Sequence, residues 1–308
     1  MEIKGILVSI VAPMYDHIAN GGEKILGNAS SIKRRPDGRV YISGQKQRHA
    51  LFSAIDRLNL TDKGRGNTYV SNGDGTTNLI ENDIRADLGG FLHTQQDSYS
   101  GRRTAPLTAT PAVALDPSEI GRDLLIRLKV NETENSREQA LATREFSQED
   151  LMVMSFHIDV GAVGIRKRCK YENDFHLNTE YIKHIDENER KRRIRLAVEA
   201  TNSLTDYANN ARNATSGEPQ KVLIVFDTKL SRKACRYFQT EYDIERERIL
   251  AELKKRNAVY FLGDDTSAET DSVADAYEKA LAFLAENTLF DPSNGAEIMT
   301  TADFQRAK

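Results

Sequence analysis

An α+β fold with a central sheet and one large insertion is predicted by three features of this chain. Residues 3–11 alternate in polarity and are rich in β-branched side chains, as a half-buried strand requires. Ala50, Leu51, Ala54, Ile55 and Leu58 then recur at helical spacing, and two later apolar runs, 151–160 and 221–226, read as buried strands. Between helix and later strands, residues 61–122 carry Gly64, Gly66, Gly73, Gly75, Gly89, Gly90 and Gly101 among many Asn, Asp, Thr and Ser, which breaks any periodicity.

Taken in order, Pro13 should end the first strand, because proline has no N–H for a ladder. Residues 14–31 read as a polar loop, Pro36-Asp37-Gly38 as a turn and residues 39–42 as a short strand; Ser43-Gly44 can then cap a helix over 45–59. A small strand falls near 106–115, and 124–130 and 151–160 form two more. Helices are expected over 186–209, 231–256 and 271–287, with strands at 220–226 and 258–262. The order is a split βαβ arrangement. A ferredoxin-like sheet of this kind would set the first strand, 151–160 and 221–226 side by side and gather the basic loops on one side.

With 308 residues and 39% hydrophobic side chains the chain can bury the core of one elaborated domain or two ordinary ones. A net charge of −3 argues against coating nucleic acid with the whole surface, but the distribution is uneven. From Leu262 onward ten Asp or Glu face three Lys or Arg, which leaves +4 on the remainder. The acidic C-terminal part reads as solubility surface, or as a match for a basic patch on a neighbouring copy. Cys169 and Cys235 lie far apart without metal-ligand spacing, so neither a disulfide framework nor a zinc site is expected, and a reducing cytoplasm fits. No apolar run of about 18 residues suggests a membrane span, and a soluble cytoplasmic protein is expected.

The cations cluster in three places: residues 33–48, Arg102-Arg103, and 166–195. The first is the most informative. Ser31 to Leu51 packs six cations against one acid and runs into a helix start whose first turns hold Gln45, Lys46, Gln47, Arg48 and His49. Helix starts favour acids, since free N–H groups and the macrodipole are positive there, so cations at this end need an outside reason. A phosphate is such a reason. A solvated charged face is the competing explanation. Arg102-Arg103 are either exposed loop charges or phosphate clamps. Arg166-Lys167-Arg168, followed by Lys170-Tyr171 and Phe175-His176-Leu177, mixes cations with rings able to stack on or wedge between bases, or is an ordinary surface hairpin. Glu189 and Arg190-Lys191-Arg192-Arg193 read as a solvated helix face.

Catalytic signatures are largely missing: there is no nucleophile elbow, Walker loop, His-Glu-x-x-His or dinucleotide fingerprint. His157, inside a strand, reads as a core residue. Asp83, Asp87 and Asp159 qualify as metal ligands by residue type alone. Asp16 and His17, next to basic surface, motivate an alternative, a metal- or histidine-dependent ribonuclease. A duplex-DNA regulator would need a helix-turn-helix with a basic recognition helix, and none is evident.

The first strand, the arginine-rich turn and Val40-Tyr-Ile-Ser-Gly-Gln-Lys-Gln-Arg-His-Ala-Leu51 resemble the N-terminus of the CRISPR-associated Cascade backbone subunit, the DevR/CasC-like family. Asp83-Ile-Arg-Ala-Asp-Leu88, Arg102-Arg-Thr-Ala-Pro-Leu107 and Phe156-His-Ile-Asp-Val-Gly-Ala-Val-Gly164 extend the resemblance through residue 165. It implies an RRM-like palm over 1–60 and 123–308, a finger-like insertion over 61–122 and a thumb hairpin near 165–185. It also implies a non-catalytic role: copies aligned along one crRNA, with other Cascade subunits, presenting the guide to target DNA and needing no cofactor. The RNA-contacting set would be Asn28, Lys33, Arg34, Arg35, Ser43, Gln45, Lys46, Arg48, His49, Arg102, Arg103, Arg166, Lys167 and Arg168. In RNA-cleaving relatives a loop aspartate after the first strand cuts; here that loop offers Asp16 and Glu23 but no similar Gly-x-Asp pattern.

Overall fold

A computed structural model describes residues 1–25, 29–73, 75, 77–93, 101–131, 136–173 and 175–306. It is a mixed α+β structure built on a twisted antiparallel sheet. In chain order the main elements are β1 (Gly5–His17), α1 (Gly44–Thr61), α2 (Ile84–Gly89), β2 (Leu107–Ala109), β3 (Ala112–Ala114), β4 (Ile120–Asn131) and β5 (Ser136–Asp159). They continue with β6 (Ile165–Glu172), β7 (Phe175–Lys183), α3 (Glu187–Ala200), β8 (Lys221–Asp227), α4 (Asp243–Lys255), β9 (Val259–Asp264), α5 (Val273–Glu286) and α6 (Thr301–Arg306).

The sheet runs β9-β8-β1-β5, and β2 and β3 pair antiparallel with the far edge of β5. The strands at 5–17, 151–159 and 221–227 therefore do lie side by side. Alternation decides the layers. Ile6, Val8, Ile10, Ala12 and Met14 of β1, with Met152, Met154, Phe156 and Ile158 of β5, bury against α1, α3 and α5. The opposite face is covered more narrowly: Leu7, Leu223 and Val225 pack with Ala234, Ile249 and Leu253, the last two from α4. Each such Val, Leu, Ile, Phe or Met side chain, fully buried, contributes about 1.5–3 kcal/mol by transfer from water.

Several boundaries differ from expectation for physical reasons. β1 passes through Pro13 to His17. Beyond Val11 it has lost β8 as a neighbour and pairs with β5 alone, so the missing N–H costs no ladder bond on its open side. The strand expected at 151–160 starts at Ser136 and forms a long ribbon with β4. Polar or charged residues at fifteen of the nineteen positions 131–149 hide it from any apolar alternation. α3 ends at Ala200 instead of 209, and the expected helix 231–256 is a 3₁₀ turn, Lys233–Arg236, followed by α4. No described helix is long and apolar enough to cross a membrane.

Candidate nucleic-acid interface

The start of α1 is built as the residues suggest. Tyr41–Ile42 pairs with Ala112–Val113, which delivers Ser43 to the helix start, where its Oγ accepts from Lys46 N at 3.2 Å. A β-carbon at Gly44 would lie 2.9 Å from the Ala109 carbonyl oxygen, so only glycine lets the helix start this close to β2. The first turn contains no acid. Ser43 and Gln45 are exposed and Lys46 is half-buried. His49 turns sideways to Asp206, Nε2 to Oδ2 3.1 Å. The Asp206 carboxyl is held below the usual range chiefly by the Ser53 hydroxyl, which donates to it at 2.6 Å, and further by Lys46, His49 and Arg57.

Arg48 points the other way. Its Nη2 donates to the Gly89 carbonyl at 2.6 Å, and its guanidinium lies 5.9 Å from the Phe52 ring centroid. Arg85 of α2 sits over the same ring at 4.6 Å. Burial lowers the pKa of both guanidinium groups, and the charge of Arg48 lowers that of Arg85 further. Among the described residues, neither is in an ion pair with a carboxylate. Sequence reasoning did not single out Arg85, which belongs with Arg48 as a cation next to the helix start.

The turn before α1 is clipped by Asn20, whose Nδ2 donates to the carbonyls of Lys33 and Tyr41 at 2.9 and 3.0 Å. Arg34 is exposed, with Nη2 3.9 Å from Glu145 Oε2. Arg35 lines a cleft of about 520 Å³ together with Arg39, Val153, Phe238 and Arg246. Asn28 and the Arg102 side chain fall outside the described residues.

At the root of the β6–β7 hairpin the arginines play two different parts. Arg103 is buried: Nε donates to Asp87 O at 2.9 Å, Nη1 to Ile165 O at 2.8 Å, and Nη2 to Ala162 O at 2.6 Å and to Asp87 Oδ1. Through these acceptors Arg103 clamps the hairpin root, and it also borders the cleft beneath the hairpin. Asp87 also accepts from Arg193 Nη1 at 2.9 Å and from Gly164 N at 2.9 Å.

Arg190 and Arg193 are buried completely, which corrects the solvated face expected for this stretch. They stand on the stripe of α3 that carries Ile194 and Ala197, and their guanidinium groups donate to backbone carbonyls of the surrounding turns. Arg190 donates to Val160 O, Val163 O and Phe290 O, and Arg193 to Ile80 O and Glu81 O. Helical spacing with that stripe was the available signal.

Outward from the root, Arg166 is buried with its guanidinium 5.4 Å from the Phe91 ring, Lys167 is exposed at 6.0 Å from the Tyr181 ring, and Arg168 pairs with Glu180 across the hairpin. Arg166, Lys167, Tyr181 and Asp159 share a cleft of about 1030 Å³. Burial raises the pKa of the Asp159 carboxyl. α2 joins the two basic groups, since Gly89 at its end receives Arg48 while Asp87 within it holds Arg103 and Gly164.

The residues considered for chemistry sit in different surroundings. His17 is buried with Nε2 2.8 Å from Asp150 Oδ2, and Asp83 caps α2. Asp16 is exposed in the left-handed region, φ +43°. His157 is buried, and desolvation, helped by the Arg232 charge, pushes its pKa to about 4. Among the described residues no group of three or more His, Cys, Asp or Glu could hold a metal ion, and both cysteines are free thiols.

Residues 23–229 match the model of the CRISPR-associated negative auto-regulator DevR/Csa2 family, and the chain belongs to that family. Two solved structures show the same fold. A chain of a "CRISPR RNA-guided surveillance complex" is 14% identical at TM-score 0.53, with 91% of this chain and 99% of that one covered. A chain of a "CRISPR RNA-guided surveillance complex, pre-nicking" is 12% identical at TM-score 0.54, with the same coverage. No curated protein matches the sequence.

Proposed function

We propose that this chain is a crRNA-binding backbone subunit of a type I Cascade complex. Several copies line up along one guide RNA, beside other Cascade subunits, and present it for pairing with target DNA; the guide reads the sequence and the protein grips the backbone. In this reading residues 1–60 and 123–308 form an RRM-like palm, residues 61–122 a finger-like insertion and the hairpin near 165–185 a thumb, working in the cytoplasm. The observation that supports it is α2, whose Gly89 carbonyl accepts from Arg48 at the basic start of α1 and whose Asp87 accepts from Gly164 at the hairpin root. Phe175 and Leu177 near the hairpin tip, 74% and 59% exposed, support the same reading, because side chains of this kind can stack on or wedge between bases.

Binding without chemistry is the role proposed. His17 is buried against Asp150, and Asp87 is bound to Arg103 and Arg193. Lys46→Ala is the cleanest test, since among the described residues the Lys46 amine makes no hydrogen bond, whereas Arg48 also holds the Gly89 carbonyl. The variant should weaken binding of unrelated single-stranded guide RNAs to the same degree and reduce the slope of log K against log salt by about one. Unchanged affinity and slope would remove the assignment.

A further inference from the structure

The chain beyond the family match contributes something the palm does not need for its own sheet. After α5, residues Thr288–Leu289 pair in parallel with Glu2–Ile3, and Phe290 N donates to Ile3 O at 2.9 Å. The segment then crosses the root of the hairpin. Lys183 Nζ donates to Asp291 Oδ2 at 2.8 Å, Met299 N donates to Lys183 O at 2.8 Å, and His184 Nδ1 lies 2.7 Å from Met299 O. It ends on the insertion, where Thr301 N and Oγ1 donate to the Glu81 carboxylate at 3.0 and 2.6 Å.

One strap therefore touches the N-terminal Glu2–Ile3 strand, the hairpin and residues 61–122 in turn. It also walls the cleft beneath the hairpin: Phe290 and Pro292 face that space together with Tyr181, Arg166 and Lys167. The Phe290 ring is fixed from two sides, since Lys4 Nζ lies 4.5 Å from its centroid and a β-carbon at Gly161 would come within 2.8 Å of its edge. The Asp291 carboxyl, held at about 2 chiefly by the Lys183 and Ser293 hydrogen bonds against its burial, stays ionised for the hairpin contact.

We infer that the C-terminal strap 288–301 is a working part of the RNA-binding surface: it holds the hairpin at its angle over the cleft and supplies Phe290 as an aromatic wall for a single-stranded RNA segment lying there. This rests on the RNA-binding reading above and adds to it residues that lie wholly outside the family match at 23–229. Cations on the hairpin wall would meet phosphate, and Tyr181 and Phe290 would offer faces to a base.

Two variants of the full chain test it. Asp291→Asn with Met299→Pro removes the charge and the N–H that join strap to hairpin while sparing the anchors at Ile3 and Glu81. Amide exchange over 165–183 should quicken by about tenfold or more, and affinity for single-stranded RNA should fall roughly threefold to tenfold. Phe290→Leu keeps apolar volume but no ring; exchange over the hairpin should stay as in the wild type while RNA affinity falls about fivefold or more. Unchanged hairpin exchange in the double variant, or wild-type RNA affinity in both variants, overturns the inference. Lys46→Ala separates the two levels, because it should lower RNA affinity and leave hairpin exchange alone. A wild-type chain that binds no RNA would instead overturn the underlying reading, and the inference with it.

Discussion

Replacing Asp87 by alanine should cost about 3–5 kcal/mol of stability, the penalty for removing one partner from a buried ion pair. Asp87 is fully buried and its two oxygens take the guanidinium groups of Arg103 and Arg193 and the N–H of Gly164. Alanine leaves two buried cations facing one another and orphans the Gly164 N–H at the hairpin root. Asparagine keeps the volume and one acceptor, so it should fall at the lower end of that range, near about 3 kcal/mol. For a chain of this length each kcal/mol is worth about 2 °C, so the alanine variant should melt about 6–10 °C lower. Equilibrium urea unfolding monitored by circular dichroism gives the energy directly, and amide exchange over 165–183 shows whether the hairpin root loosens first. A loss below about 1 kcal/mol would mean that the pair is not desolvated as the structure has it.

Acid should destabilise the fold before the carboxylates titrate. His157 and His184 are buried with pKa lowered from 6.5 to about 4, so between those values the unfolded chain binds protons that the folded chain refuses. Stability should therefore fall as pH drops from about 6.5 to about 4, by up to about 3 kcal/mol per histidine, and be restored on raising the pH. Urea midpoints at several pH values check this, and a flat profile across that window would contradict it. Gly164→Ala should cost about 3 kcal/mol or more, because its φ is +68° and a β-carbon would overlap the Ile185 side chain. A wild-type melting temperature for that variant would show that the hairpin root accommodates other backbone geometries.

What could be read from residues alone follows from how locally each feature is determined. The Ser43 cap, the glycine after it, the apolar face of α1 and the three central strands depend on neighbours within a few positions, and all are found in the structure. The hairpin near 165–185 was expected from the order of elements in the resemblance, and the structure has a hairpin at 165–183. The long ribbon of β4 and β5 was not, because much of it stands clear of the core and its charged positions need no alternation.

The roles of Arg103, Arg190 and Arg193 were hidden for a different reason. Charge predicts exposure, and only the tertiary meeting of α2, α3 and the Val160–Gly164 turn supplies the carboxylate and carbonyls that make burial tolerable. The strap was invisible because its partners lie more than 100 residues away, at Ile3, Lys183 and Glu81.

A chain that grips RNA by its backbone, as proposed, should add copies as the strand lengthens. Native mass determination of the protein mixed with unrelated single-stranded RNAs of increasing length tests this most directly. Bound copies should rise stepwise with RNA length whatever the sequence; a single copy at every length, or binding to one sequence alone, would contradict it.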